Sequence, residues 1–189
     1  MKSFLLSFVA AAVIALPVFA ALETGDTAPN FEAKASLAGK VFDYSLQNAL
    51  DAGLVVIYFY PSAYTKGCNI QAHEFAVNMD KFIAAGASVI GVSLDSIERL
   101  NDFSADPDYC ADKLAVAADP TGAISRSYSV AIREGREGMK DSRGVDVNHD
   151  FAERMTFIVM PNGEIVETIG GVSPMENVQK SLKAVQRRQ

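Results

Sequence analysis

An uncharged apolar run followed by a helical pattern constrains the fold of this chain more than any other feature. Residues 54–60 are all aliphatic or aromatic, and such a run predicts a strand that is buried on both faces. Pro61 ends the strand, because proline has no N–H to give to a sheet. From Cys68 to Phe82 apolar residues then recur at steps of four and three, which is the pattern of one buried helical stripe. A short loop therefore joins the strand to a helix, and Cys68 lies in the first helical turn.

The position of Cys68 favours a charged sulfur. The start of a helix carries unpaired N–H groups and the positive end of the dipole, and both stabilise a thiolate, the reactive form of cysteine. Thr65 lies one turn upstream, where its hydroxyl can cap the helix or bind the sulfur or its substrate, and Pro61 can wall the site. Taken alone, a cysteine on an apolar stripe is more often a small core residue. The ordered set of strand, Pro61, Thr65 and Cys68 is what favours a reactive site.

The remaining elements predict an α/β fold. A second buried strand at 87–94 and a shorter one at 114–118 alternate with helical patterns, which predicts parallel crossover units. The Asn-Gly pair at 162–163 lies between two apolar runs and predicts an antiparallel hairpin. Ser173 followed by proline opens a C-terminal helix. We therefore expect a mixed central sheet flanked by helices, in one domain over residues 21–189.

The N-terminus has the composition of a targeting segment. Residues 1–20 contain one lysine, an apolar core and small residues before Ala21, the pattern of a secretory signal peptide. We expect an exported protein, periplasmic or secreted, with no membrane association after cleavage; an uncleaved anchor is the alternative. The formal net charge of −6 argues against nucleic acid or an anionic membrane as partner.

The chain contains two cysteines, Cys68 and Cys110. In an oxidising compartment two cysteines can pair and stay paired. Cys110 lies in the irregular segment 106–113, which we expect near the surface and mobile. There is no C-x-x-C, no Gly-rich phosphate loop and no metal-ligand spacing, so neither a metal nor a cofactor is predicted.

Residues 133–150 are rich in charged residues and glycine, and we expect them to form an exposed insertion that adds little to the core. His149 lies at the end of this segment. The common role of such a histidine is that of a solvated loop residue, and tuning the pH response of a site is the alternative.

One motif resembles that of a known family. Pro61-x-x-x-Thr65-x-x-Cys68, directly after a buried strand, resembles the active-site motif of the peroxiredoxins, thiol peroxidases on a thioredoxin-like fold. The run Arg154-Met-Thr-Phe-Ile-Val is similar to the family's later strand, which carries its second active-site feature. The order of elements from about residue 27 onward is similar as well.

Within the family, the chain is most similar to the subgroup named for bacterioferritin comigratory protein. It departs from the family at Gln71, where a glutamate is usual. It departs from the subgroup at His73, where a second cysteine is frequent.

The resemblance implies a role for each site residue. Cys68 would attack the peroxide and form a sulfenic acid, while Thr65 would hold the peroxide oxygens beside Pro61. Arg154 would stabilise the thiolate and the developing oxyanion; without the resemblance it would be assigned as a surface arginine at a strand edge. Cys110 is the only second thiol that could resolve the sulfenic acid as a disulfide.

The resemblance also implies partners. The substrates would be hydrogen peroxide and organic hydroperoxides, the reductant a thioredoxin-like or other dithiol, and the assembly a monomer or homodimer. Two alternatives stay open. One is an exported thioredoxin-like disulfide oxidoreductase, and the other is a non-catalytic domain in which a disulfide between residues 68 and 110 is structural.

Overall fold

The computed structural model describes residues 21–188. The predicted signal peptide at 1–20 lies outside the described residues. Nine strands are present in the described range: β1 (Glu32–Leu37), β2 (Lys40–Ser45), β3 (Leu54–Phe59), β4 (Ala87–Ser93), β5 (Ala115–Ala118), β6 (Ile132–Arg133), β7 (Phe151–Ala152), β8 (Met155–Val159) and β9 (Ile165–Gly170). Five helices accompany them: α1 (Leu46–Ala52), α2 (Lys66–Ala84), α3 (Ile97–Ala105), α4 (Ala123–Ser127) and α5 (Pro174–Gln186). Within residues 21–188, no helix is both long and apolar enough to cross a membrane.

A seven-stranded sheet forms the centre, in the order β2-β1-β5-β4-β3-β8-β9. β3, β4 and β5 are parallel neighbours, whereas β8 and β9 add to the sheet in antiparallel fashion. β6 and β7 form a separate two-stranded sheet. Residues of α2, α3 and α5 join one core cluster, and residues of α1 join the other. The predicted mixed sheet flanked by helices is therefore confirmed.

The strand, loop and helix at the centre match their sequence patterns. β3 is buried from Val55 onward, and the apolar stripe of α2 from Cys68 to Phe82 faces the core. β8 lies beside β3 with Phe59 paired to Met155. Arg154, which directly precedes β8, therefore lies at the edge of the sheet where β3 leads into Pro61.

The expectation that Cys110 lies near the surface is wrong. Its side chain is fully buried in the same core cluster as α2. The segment 106–113 lacks regular structure but forms consecutive hydrogen-bonded turns, in which the Asp106 carbonyl accepts from Ala111 and the Cys110 carbonyl accepts from Leu114. Because these turns satisfy the backbone locally, the segment can fold its cysteine inward.

Candidate active site

The start of α2 presents Cys68 to the loop that follows β3. Cys68 is the third residue of the helix and is 2% exposed. Thr65 occupies the N-cap position, but its hydroxyl makes no capping hydrogen bond and donates instead to the Ser62 carbonyl at 2.8 Å. The capping role considered for the Thr65 hydroxyl is therefore not observed. With its proton committed to Ser62, the hydroxyl oxygen keeps lone pairs for a further donor.

Arg154 reaches the sulfur from the neighbouring strand. Its Nη2 lies 3.4 Å from Cys68 Sγ. Gly67 makes room for this approach, since a Cβ there would lie 3.2 Å from the same nitrogen. A guanidinium at this distance favours the charged form of a thiol. The positive end of the helix dipole and the Arg154 guanidinium therefore both face the Cys68 sulfur.

Three buried polar side chains continue from Arg154. Its Nη1 donates to Gln71 Oε1. Gln71 Nε2 donates to Asn177 Oδ1 at 2.9 Å, and Thr156 Oγ1 donates to the same oxygen at 2.7 Å. Asn177 Nδ2 donates to the Ile169 carbonyl at 3.3 Å. Gln71, Asn177 and Thr156 are all inaccessible to solvent.

Cys68 and Cys110 are both free thiols in this structure. Burial, and secondarily the charge of Asp106, raises the pKa of the Cys110 thiol far above its ordinary range. Tyr58 lies within electrostatic range of both sulfurs: burial raises the pKa of its hydroxyl, and the two cysteines raise it further. In this conformation Cys110 is a neutral core thiol.

The buried carboxylate of Asp95 accepts hydrogen bonds from the loop between β3 and α2. Asp95 accepts from Ser62 Oγ at 2.7 Å and from the Ala63 N–H at 2.8 Å. His149 Nε2 lies 2.7 Å from the same carboxylate. Burial would raise the pKa of Asp95, but its hydrogen bonds, that of His149 foremost, and the His149 charge lower it overall. The expectation of a solvated His149 is therefore wrong, because the imidazole is the partner of a buried acid.

Residues 141–143 close over the same loop. The Tyr64 carbonyl accepts from the Ser142 N–H at 2.9 Å and from Ser142 Oγ at 2.7 Å, and the Arg143 guanidinium lies 3.2 Å from the Tyr64 ring centroid. Asp141 is buried and pairs with Arg99 at 2.8 Å. The segment 133–150 is thus only partly the exposed insertion expected from its composition, because its charged residues find partners around the loop.

A cleft of about 470 Å³ is lined by Pro61 and Arg154, whereas Cys68 and Thr65 are not among its lining residues. Met139, Phe151 and Val172 contribute apolar surface to its wall. Charged side chains also line it, namely Arg133, Glu134, Arg136 and Glu153. Among residues 21–188 no group of three or more histidine, cysteine or acidic side chains is placed to hold a metal ion.

The structure brings Pro61, Thr65, Cys68 and Arg154 to one place and keeps Cys110 in the adjoining core. Gln71 and Asn177 also belong to this hydrogen-bonded group, although the sequence pattern predicts no role for either. Gln71 could have been found from its spacing, since a residue three positions after Cys68 shares its helical face. Asn177 carries no such signal, because its partners come from distant elements.

Comparisons with known proteins agree on the family. The model of the AhpC/TSA family matches residues 24–168. Peroxiredoxin Bcp of Escherichia coli K12 is 37% identical over 144 residues, which cover 76% of this chain and 83% of that protein. Peroxiredoxin Bcp of Xanthomonas campestris pv. campestris is 32% identical over 113 residues, which cover 60% of this chain and 64% of that protein.

Solved structures show the same fold. The peroxidoxin BcpB of Mycobacterium tuberculosis superposes with a TM-score of 0.73 at 23% identity, over 89% of this chain and 99% of that one. The Xanthomonas campestris bacterioferritin comigratory protein superposes with a TM-score of 0.64 at 28% identity, over 82% of this chain and 90% of that one. The predicted thioredoxin-like α/β fold is confirmed.

Proposed function

Because the chain belongs to the AhpC/TSA family of peroxiredoxins, we propose that it is a thiol-dependent peroxidase whose nucleophile is Cys68. The observation that carries this assignment is the 3.4 Å approach of the Arg154 guanidinium to a sulfur at a helix start. The thiolate attacks one peroxide oxygen, so that an S–O bond forms as the O–O bond breaks. The sulfur is oxidised by two electrons to a sulfenic acid, and the peroxide is reduced to an alcohol or water as the leaving oxygen takes up a proton.

The neighbouring residues orient the peroxide. The Thr65 hydroxyl already donates to Ser62, so its oxygen accepts a hydrogen bond from the peroxide O–H. The Arg154 guanidinium stabilises the charge that develops on the departing oxygen. Pro61 shields one side of the site without offering a competing donor. The apolar wall of Met139, Phe151 and Val172 supports organic hydroperoxides as substrates beside hydrogen peroxide.

Cys110 resolves the sulfenic acid in this proposal. Its thiol condenses with the Cys68 sulfenic acid, forming an S–S bond and releasing water, with no further oxidant. The neutral, fully buried Cys110 cannot do this in the reduced conformation. A disulfide requires the two Cα atoms to lie within about 7 Å, and we propose that segment 106–113, the first turn of α2, or both open during this step to let the buried Cys110 reach Cys68. A thioredoxin-type dithiol then reduces the disulfide.

The decisive experiment is stopped-flow consumption of hydrogen peroxide by prereduced protein. Wild type should consume peroxide and lose both thiols per peroxide, with peptide mapping showing a link between residues 68 and 110. Cys68→Ser should consume none while keeping its fold, and Cys110→Ser should react once and stop at the sulfenic acid unless a small thiol is added. Full activity of Cys68→Ser would overturn the assignment of the nucleophile. Normal cycling of Cys110→Ser with the physiological dithiol would make this a one-cysteine enzyme.

The two alternative functions are not favoured. A disulfide oxidoreductase on this fold would need a C-x-x-C pair, which the chain lacks. Such an enzyme would reduce insulin, and we expect this protein not to do so. A structural disulfide would join Cys68 to Cys110, and both thiols are free.

A further inference from the structure

The hydroxyl of Tyr58 is buried and has no hydrogen-bond partner among the residues that the structure describes. Tyr58 lies in β3, is 1% exposed, and stacks its ring on Phe75 of α2 with the ring centroids 4.5 Å apart. A buried hydroxyl without a partner lowers stability, and phenylalanine would fill the same space without that loss. Packing alone therefore does not explain a tyrosine at this position.

A glycine in the neighbouring strand makes room for this hydroxyl. Tyr58 and Gly91 are paired directly across β3 and β4. A Cβ at Gly91 would lie 2.6 Å from both the Tyr58 oxygen and the ring carbon that carries it, which is too close for any other residue. Glycine weakens the interior of a strand, because it loses much conformational freedom on folding and packs no side chain. The phenol therefore lies over β4, on the side of its own strand that faces β5.

Cys110 is the sulfur on which this hydroxyl acts most. Tyr58 and both cysteines belong to one buried core cluster. Burial raises the pKa of the Tyr58 hydroxyl, and Cys110 then raises it more than Cys68 does. The hydroxyl of Tyr60 differs, because after burial and the Tyr58 hydroxyl, Asp95 has a larger effect on its pKa than Cys110 has. Tyr58 is therefore the hydroxyl best placed to serve Cys110.

Cys110 lies among groups that oppose its ionisation. Burial raises the pKa of its thiol, and the Asp106 carboxylate raises it further. The other titratable side chains of the cluster are uncharged hydroxyls and a thiol, namely Tyr58 in β3, Tyr60 directly after it, Tyr64 in the loop before α2, Cys68 in α2 and Tyr109 beside Cys110. The cations that approach from α3 and from segment 133–150, Arg99 and Arg143, lie over the Tyr64 ring at 5.6 and 3.2 Å from its centroid. Because the thiolate is the form that attacks, Cys110 needs a hydrogen-bond donor that is already in the core.

We propose that Tyr58 stabilises the attacking sulfur of Cys110 in the resolving step: as Cys110 reacts with the Cys68 sulfenic acid, the unpaired phenol donates its hydrogen bond to the Cys110 sulfur. An S–S bond forms as the S–O bond breaks, and the proton lost by Cys110 leaves with the hydroxyl as water. Tyr58 keeps its own proton throughout. The inference rests on the proposed function, which makes Cys110 the resolving thiol.

Two features of the phenol suit this role. A charged sulfur accepts a stronger hydrogen bond than a neutral thiol does, so the donor acts mainly when charge develops in the transition state. Tyr58 belongs to the central strand β3, whose backbone is paired on both sides by β4 and β8. The hydroxyl therefore stays in place while segment 106–113 or the first turn of α2 opens.

Tyr58→Phe removes the hydroxyl and keeps the ring that stacks on Phe75. After a single pulse of hydrogen peroxide to prereduced protein, acid-quenched mass spectrometry distinguishes the Cys68 sulfenic acid from the disulfide between residues 68 and 110. The sulfenic acid should form at the wild-type rate, and disulfide formation should slow about tenfold, as for a lost hydrogen bond to a charged group. The pH at which disulfide formation is half-maximal should rise by about one unit, because thiolate stabilisation that is tenfold weaker raises the pKa by that amount.

Tyr44→Phe is the matched control. Tyr44 also carries a buried hydroxyl without a partner in the described structure, but it packs against the other core cluster, so its variant should resolve at the wild-type rate. Removing an unpaired buried hydroxyl also stabilises the closed core, and a purely structural role for Tyr58 would act by slowing its opening. Arg143→Ala loosens the same cluster, so in that background the tenfold deficit of Tyr58→Phe should persist.

Three results would overturn the inference alone: disulfide formation at the wild-type rate in Tyr58→Phe, an unchanged pH profile, or recovery of the full rate in the Arg143→Ala background. Failure of the proposed function has a different signature. If wild type formed no sulfenic acid at Cys68, the proposed function would fail and the role of Tyr58 with it.

Discussion

At the scale of single residues, the Cys68 sulfur lies close to two sources of positive charge. It lies in the first turn of α2, and the Arg154 guanidinium reaches it from β8 at 3.4 Å. The helix start is formed by residues next to Cys68 in the chain, whereas Arg154 comes close to Cys68 only when β3 pairs with β8. A substitution at Arg154 therefore separates the two contributions.

Arg154→Met should leave the fold intact and slow peroxide attack by about 10²-fold or more, because it removes a positioned charge from the transition state. Stopped-flow rates measure the loss, and thermal unfolding checks the fold. Arg133→Met, at a largely exposed arginine lining the same cleft, is the matched control. An unchanged rate of peroxide attack in Arg154→Met would return this arginine to a structural role.

Thr65→Val should slow peroxide reduction by about 10²-fold, because it removes the hydroxyl oxygen that accepts from the peroxide. Thr65→Ser should restore most of the rate, since serine keeps both the proton for the Ser62 carbonyl and the accepting lone pairs. Both variants keep Cys68 and Arg154, so Cys68 alkylation should stay close to wild type. Equal rates for the two variants would show that the hydroxyl does not contribute to catalysis at this position.

At the scale of elements, the segment 133–150 and the loop between β3 and α2 behave as one unit. Asp95 and His149 join them on one side, and Ser142 and Arg143 cover Tyr64 on the other. Tyr64 in turn packs against Phe103 and Tyr109 with ring centroids 4.9 and 5.8 Å apart. Those aromatic rings lie beside the turns that carry Cys110, so the two cysteines share one packed cluster.

The link through His149 should weaken as the pH rises. Burial opposes protonation of His149, but the hydrogen bond and charge of Asp95 raise its pKa overall, against the charge of Arg99. For a raised pKa, the stabilisation is complete below the unfolded value of about 6.5 and is lost as the pH rises through the folded value. The pKa of Asp95 is lowered, so its own contribution is lost only at acid pH, as the pH falls through that lowered value.

His149→Gln should therefore destabilise the protein by about 1 kcal/mol at mildly acidic pH, a figure discounted for the partial exposure of the imidazole. The difference from wild type should shrink towards zero in alkaline buffer. Thermal unfolding midpoints across the pH range provide the measurement, and His73→Gln, at an exposed histidine, is the control. A difference that does not vary with pH would mean that the charge of His149 is not involved.

Arg143→Ala should speed formation of the disulfide between residues 68 and 110 by about fivefold after a pulse of peroxide. The guanidinium on the Tyr64 ring contributes about 1 kcal/mol to the closed cluster, and opening that cluster precedes resolution. Acid-quenched mass spectrometry follows the sulfenic acid and the disulfide separately. Arg136→Ala, on the same segment but without a contact to Tyr64, should match wild type. A slower disulfide in Arg143→Ala would place resolution on a route that does not open this cluster.

The central elements could be predicted from the sequence because their signals are local. The apolar run of β3, the stripe of α2 and the Asn-Gly turn each specify an element within a short stretch of chain. The burial of Cys110 could not be predicted, because it depends on Tyr64 and Phe103, which come from other elements. The partnership of His149 with Asp95 was missed for the same reason: composition predicted a solvated segment, and the two residues are 54 positions apart in the chain.

At the scale of the whole molecule, the residues directly after the predicted signal peptide make hydrogen bonds to the fold. Leu22 is already attached to the fold: its N–H donates to the Tyr128 carbonyl at 3.3 Å, and its carbonyl accepts from Thr168 Oγ1 at 2.9 Å. Cleavage before Ala21 would leave these contacts in place. From the signal-peptide pattern of residues 1–20, we propose that the mature enzyme works outside the cytosol and begins at Ala21.

N-terminal sequencing of the protein recovered from the exported fraction of a bacterial host should give Ala21 as the first residue. Ala20→Arg should leave an uncleaved precursor, since signal cleavage requires a small residue at that position. The exported, cleaved protein should have the same peroxidase activity as a recombinant protein that starts at residue 21. Recovery of the complete chain from the cytosol, with Met1 at its N-terminus, would contradict export.

The pairing of Phe59 with Met155 also determines where the chain and its homologues can gain or lose residues. Adding one residue within β8 would shift its alternation by one position and turn Arg154 towards the opposite face of the sheet. The stretch between β6 and β7 lies outside the central sheet, and a change of length there leaves the guanidinium where it is. Natural insertions and deletions should therefore accumulate between Arg133 and Met139, ahead of the residues that contact the loop between β3 and α2, and be absent between Arg154 and Val159.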